Sequence, residues 1–177
     1  MFSLSYGYLL VATIMTFSAR SSHALTTLKS KVTELNPGLP IRRVLPQAKQ
    51  RAVGSFVFLD HFGPTLSKMT VGPHPHIGLS TLTYLYQGSI VHRDSTGAHQ
   101  IILPNQVNWM SSGRGVTHSE RSEAGTMHGL QIWVALPKDQ EDAEPSFHHA
   151  SSVIPVSIDS DCAVQLVVGK FLGLRAT

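Results

Sequence analysis

Between residues 50 and 136 no stretch sustains a 3.6-residue period, and that absence narrows the fold more than any other feature of the chain. Short apolar or alternating runs stand there instead, cut by glycine, proline, asparagine and serine roughly every ten residues, the cadence of an all-β sandwich or barrel. Phe56-Val57-Phe58-Leu59 lies between Gly54 and Asp60-His61-Phe62-Gly63-Pro64. It reads as a buried strand with Phe56 and Phe58 in the core, ending in a tight turn where His61 hydrogen-bonds nearby backbone or supports a site residue from behind. Leu79 to Tyr86 is rich in β-formers and stops at Gly88. If that strand ran regularly from His74, Ser80, Leu82, Tyr84 and Tyr86 would share the face of that histidine, unless a bulge at Gly78 broke the parity. Ile90 to Asp94, a turn at Ser95-Thr96-Gly97, and Gln100 to Leu103 form a hairpin, and Val107 to Met110 is a further strand. Leu130, Ile132, Val134 and Leu136 alternate onto one face.

At the ends the pattern is less regular. Ile41 to Leu45 is a short strand stopped by Pro46, after a turn at Pro37-Gly38. Residues 138–145 form a charged, solvated segment with room for one helical turn, and Val153–Val156 and Val164–Val168 are strand candidates. Residues 1–25 stand apart as a signal, a spurious extension or a tail. Their apolar run is too short to span a bilayer and lacks a preceding positive charge, and the three readings stay open. A cytoplasmic location is expected, or a secreted or periplasmic one if residues 1–24 are a signal.

With 177 residues there is room for one full domain, or one and a piece of another. The 42% hydrophobic content argues against disorder. A net charge of +3 with no basic run longer than Arg42-Arg43 speaks against direct nucleic-acid binding. Cys162 is the only cysteine, which excludes an intrachain disulfide and a thiolate metal cluster.

The chemistry concentrates in two pairs spaced i, i+2, His74/His76 and His118/Glu120, each set among glycines. In a strand, side chains two apart share a face, so each pair can aim both heteroatoms at one point. Three imidazoles and a carboxylate on two facing strands suit one divalent transition metal, Fe(II) first, with Mn, Ni, Cu or Zn as alternatives. Arg114, between two glycines, is a candidate for holding an anionic substrate, with a solvated loop arginine as the competing reading. His92, His99, His128, His148 and His149 read as surface or hydrogen-bonded histidines, and Trp109 and Trp133 as core or cavity wall.

Several blocks together resemble the pirin family of the cupin superfamily. They are Phe58 to Pro64, His74 to Tyr84, His92 to Ser95, Asn108 to Met110, Ser112 to Glu120 and Gly129 to Pro137. Ile77 and Ser80 stand where many pirins have Arg and Glu, and Pro104-Asn105-Gln106 replaces an acidic turn. The resemblance covers residues 28 to 150 and implies a double-stranded β-helix barrel with its metal on His74, His76, His118 and Glu120. It divides the chain into the tail at 1–25, an N-terminal cupin domain at 26–150, and at 151–177 a linker with the truncated start of a second cupin domain. An unpaired edge at 164–173 would favour a homodimer. Some pirins are described as quercetin 2,3-dioxygenases and others as iron-dependent regulators of transcription. The leading expectation is oxidation of a flavonol-like or other enol substrate, with Glu120 as general base. The alternative is a non-enzymatic, metal-dependent co-regulator acting through a protein partner. Neither reading involves a membrane.

Overall fold

The computed structural model describes residues 27–157 and 163–176, and among them are fifteen strands and no helix. Residues 1–25 and Cys162 lie outside the described residues.

The chain opens with the hairpin β1 (Lys31–Asn36) and β2 (Leu39–Leu45) around Gly38, which turns at a positive φ of 81°. Strand β3 (Phe56–Ser67) joins this sheet, β4 (Thr70–His76) begins another, and β5 (Leu79–Gln87) returns to the first. Then come β6 (Ile90–Asp94), β7 (His99–Ile102), β8 (Val107–Ser111), β9 (Val116–Arg121), β10 (Gly125–Ala135) and β11 (Ser146–Ala150). A seven-stranded sheet runs β1-β2-β3-β10-β5-β8-β11, and a four-stranded sheet runs β4-β9-β6-β7. Every pairing is antiparallel.

One apolar cluster joins the two sheets: Leu39, Ile41, Phe62 and Leu85 from the larger, with Ile90 and Ile102 from the smaller. The other face of the larger sheet carries Leu82, Tyr84, Val107, Leu130 and Ile132, with Val153, Val167 and Val168 packed against them. The alternation read along β10 is therefore present, with Leu130, Ile132 and Val134 in that outer cluster.

Three expectations are corrected. The signals at residues 60–64 do not end a strand, because β3 runs straight through them. Gly63, at φ 72°, makes a bulge opposite Met127–Gly129, where a Cβ would come within 1.8 Å of the Met127 carbonyl oxygen. Only glycine fits there, so a residue that signals a turn serves instead to bend a long strand. Phe56 and Phe58 are half-buried rather than fully buried: Phe58 lines a cavity, and Phe56 packs at the edge of the outer cluster. Residues 138–145 contain turns and no helical turn, which suits their charge.

Gly78 breaks the strand parity with a φ of 67° as the chain passes from one sheet to the other. Thr83 faces the histidines in consequence, while Leu82 and Tyr84 face away. Beyond β11, β12 (Ile154–Ser157) pairs with β13 (Ala163–Leu166), and β14 (Gly169–Phe171) with β15 (Leu174–Ala176). The stretch 164–173, expected as one unpaired strand, is instead divided between β13, paired with β12, and β14, paired with β15; that last hairpin and β11 were not expected from the sequence. Tyr84 donates to Gln165 Oε1 at 2.5 Å, which ties this segment to the outer face of the larger sheet. Among the described residues no helix is long and apolar enough to cross a membrane.

Candidate metal centre

Strand alternation and antiparallel register build the centre. His74 on β4 lies opposite His118 on β9, and His76 points to the same side two residues on. The three Nε2 atoms lie 3.0 Å (His76–His74), 3.0 Å (His76–His118) and 3.1 Å (His118–His74) from one another. Nitrogens about 2.1 Å from one ion lie about 3.0 Å apart at right angles and about 3.4 Å apart in a tetrahedron. The spacing is short enough for the three nitrogens to share one ion.

The outer hydrogen bonds decide which nitrogens can accept. His74 Nδ1 lies 2.9 Å from the Gly72 carbonyl, so Nδ1 carries the proton of the neutral ring and Nε2 keeps its lone pair. His118 Nδ1 faces His92 Nδ1 at 3.4 Å, and His92 Nε2 lies 2.8 Å from Asp94 Oδ2. A carboxylate only accepts, so a neutral His92 donates through Nε2 and accepts from His118 Nδ1–H. His118 Nε2 thus also presents a lone pair to the centre. Two lone pairs facing at 3.1 Å repel unless a cation lies between them. Burial, and after it the charge of His74, lowers the His76 pKa to about 4. Burial with His74, His76 and His92 lowers that of His118 to about 3, against Asp94. Both rings therefore remain neutral and able to coordinate at physiological pH.

Glu120 is buried beside them, and its carboxylate accepts from Thr83 Oγ1 at 2.9 Å. Burial raises its pKa, opposed by that hydrogen bond and by the charges of His92 and His74. Its oxygen groups with His118 and His92, while His74, His76 and His118 form the tighter set. Thr83 Oγ1 also lies 3.0 Å from Gln131 Oε1 on β10, a competing acceptor for its single proton.

The four residues line one cavity of about 70 Å³, whose other walls include Phe58, Asp60, Gln131 and Trp133. Trp133 stacks on Phe58 at 4.1 Å and meets His76 edge-on at 5.0 Å. Trp133 is thus cavity wall, whereas Trp109 packs against the outer cluster. Asp60 is held by two bonds from Arg43, at 2.9 and 2.7 Å.

Arg114 is not among these lining residues. It sits in the β8–β9 loop, more than half exposed, and pairs with Glu144. His92, expected as a surface or hydrogen-bonded histidine, is hydrogen-bonded and only 2% exposed, and its place beside His118 was not expected. A signal was there: His92/Asp94 is a third i, i+2 pair, and β6 lies directly beside β9. His61 and His128 pair with each other at 2.8 Å, and His149 with Asn108 at 2.8 Å.

Two antiparallel sheets closing on a histidine-rich centre define a cupin barrel with a candidate metal site. The likeness to a solved quercetin 2,3-dioxygenase from Acinetobacter baumannii bears this out, with a TM-score of 0.79 and 36% identity over 84% of this chain and 51% of that one. The pirin family profile matches residues 38–134, and the chain belongs to the pirin family. A pirin-like protein of Caulobacter vibrioides is 45% identical over 150 residues, 77% of this chain and 52% of that protein. Pirin-1 of Arabidopsis thaliana is 32% identical over 148 residues, 83% of this chain and 51% of its own length. The chain spans about half the length of these curated relatives.

Proposed function

We propose that this chain is a mononuclear metal-binding cupin that oxidises an enol substrate with dioxygen, in the manner of a quercetin 2,3-dioxygenase. The observation that carries the reading is the convergence of three Nε2 atoms within 3.1 Å, two of them left unprotonated by their outer partners. His74, His76 and His118 would hold one divalent ion, with Glu120 as the fourth donor. Imidazole and carboxylate suit Fe(II), and Mn, Ni, Cu or Zn would take the same donors. When bound, the ion would supply Lewis acidity and lower the pKa of an enol hydroxyl. The similarity to the Acinetobacter enzyme supports the choice of substrate class.

The remaining steps fall to side chains. Glu120 would take the enol proton on its carboxylate, and the upward push of burial on its pKa makes it a stronger base. Thr83 would hold that carboxylate in place through its hydroxyl. Trp133 and Phe58 offer a flat, apolar wall that excludes water and lies along a planar enol. A cavity of about 70 Å³ takes the reacting edge of such a molecule, and the rest of a flavonol skeleton would lie outside it.

Oxygen uptake by metal-loaded protein tests the reading, with quercetin and the small enol form of acetylacetone as substrates. Substrate-dependent uptake that falls about 10²- to 10⁴-fold in Glu120→Gln, with metal content retained, is the expected result. No uptake with either substrate at full metal loading would overturn it.

A further inference from the structure

Behind the three clustered Nε2 atoms lies a chain of buried groups that ends at a surface turn. Asp94 closes the β6–β7 turn, where its Oδ1 accepts from Thr96 N–H (2.9 Å), Thr96 Oγ1–H (2.6 Å) and Ala98 N–H (3.1 Å). Its Oδ2 accepts from His92 Nε2 at 2.8 Å, and both side chains are almost wholly buried. Burial alone would push the Asp94 carboxyl up, but its bonds from Thr96, His92 and Ala98 outweigh this and hold the pKa below the ordinary value. Phe147 stacks on the His92 ring at 4.5 Å and 26°, fixing its plane from the neighbouring sheet. The ring's other nitrogen then meets His118 Nδ1 at 3.4 Å.

We propose that Asp94 and His92 are positioning residues that hold His118 in its Nδ1–H tautomer, so that its Nε2 is kept as a metal donor. Each link follows from what the group can donate. Asp94 has only acceptors, so His92 Nε2 carries the proton. In a neutral His92 ring Nδ1 is then an acceptor, so His118 Nδ1 donates to it and the lone pair of His118 is left on Nε2. The nitrogen a histidine offers a metal is set by the hydrogen bond its other nitrogen makes. Here that bond runs through a second imidazole to a carboxylate whose remaining oxygen is pinned by a turn. The proposal rests on the metal reading above, but the tautomer itself exists with or without an ion.

Two substitutions should differ in a way that a merely structural role would not produce. In Asp94→Asn, the side-chain oxygen can still accept from the turn while the amide faces His92 as a donor. That inverts every link: His92 protonates on Nδ1, and His118 on Nε2, which closes the donor position. His92→Phe removes the acceptor without reversing anything and keeps a flat ring against Phe147. The first change should therefore do more harm than the second.

The test is long-range ¹H–¹⁵N spectroscopy of the chelator-stripped, ¹⁵N-labelled 177-residue chain, with zinc affinity measured by competition. Expected are a protonated Nδ1 and bare Nε2 at His118 in the parent. Asp94→Asn should show the reverse and bind zinc about 10- to 100-fold more weakly, the usual cost of losing an outer partner. His92→Phe should give mixed tautomers and a smaller loss. A parent His118 protonated on Nε2 would overturn the proposal. So would a folded Asp94→Asn with the parent's tautomer and affinity. Should Asp94→Asn fail to fold, His92→Phe decides alone: unchanged tautomer and affinity there refute the relay. A parent that shows the expected tautomer yet binds no zinc, iron or manganese supports the relay and refutes the metal reading.

Discussion

The two sheets of this barrel solve opposite problems. The seven-stranded sheet is mainly apolar, with Phe62 and Leu85 turned inward and Leu82, Tyr84 and Ile132 packed outward, though it also turns Asp60, Thr83 and Gln131 toward the centre. The four-stranded sheet brings three polar pairs to its inner face on adjacent strands: His74/His76, His118/Glu120 and His92/Asp94. Its outer face is wet at Arg93 and Thr117. Burying apolar area stabilises the first sheet at about 25 cal/mol per Å². Burying imidazoles and carboxylates stabilises nothing until each is paired. The larger sheet therefore supplies most of the apolar packing, and the smaller one carries the candidate metal donors.

The sharpest way to break this division is to alter both sheets. His118→Ala and His76→Ala should each lower metal affinity by more than the 10- to 100-fold typical of an outer partner. The metal-free variants should unfold at the parent's urea concentration or higher, because each loses a costly buried polar ring. Changing His148 and His149 together should leave occupancy untouched. Equal metal loss in the two sets would remove the assignment.

Phe62→Ala in the larger sheet should do the reverse, costing about 3–5 kcal/mol in urea unfolding while the folded fraction still takes up metal. Acid sharpens the contrast further. In metal-free protein the folded pKa values of His76 and His118 are about 4 and about 3, below the unfolded value near 6.5. Their contribution is full above about pH 6.5 and is lost as pH falls from there towards those values, by about 1.4 kcal/mol per pH unit for each proton taken up. Urea midpoints measured from pH 7.5 to 5 should fall accordingly, and less steeply in His118→Ala. The smallest effect is expected at Arg114. Its exposed pair with Glu144 is worth about 0.2–1 kcal/mol, and Arg114→Ala should leave metal uptake unchanged in the same competition assay.

The sequence made the smaller sheet's chemistry legible because spacing along one strand survives without knowledge of its neighbours. His74/His76 and His118/Glu120 each needed only a period of two. The third pair, His92/Asp94, has the same spacing. Its meaning depends on β6 lying beside β9, a fact of topology that no local pattern carries. Asp94 also opens the run Asp94-Ser95-Thr96-Gly97, so it announces a turn before it announces a carboxylate partner. The larger sheet was legible in its short runs and obscured where glycine had two meanings. Gly63 permits a close approach to Met127 across a bulge, and Gly129 does the same against Phe62 and the Tyr84 carbonyl. Each is a place where chain meets chain, and the partners lie far away in the sequence.

The claim at the centre is that three imidazole nitrogens share one ion. Elemental analysis of protein purified without chelators, followed by X-ray absorption at the edge of the metal found, measures this directly. The account predicts about one transition-metal ion per chain with nitrogen neighbours near 2.1 Å, and its disappearance in His76→Ala. Protein that carries no metal and takes none up, or a first coordination shell of oxygens alone, would contradict it.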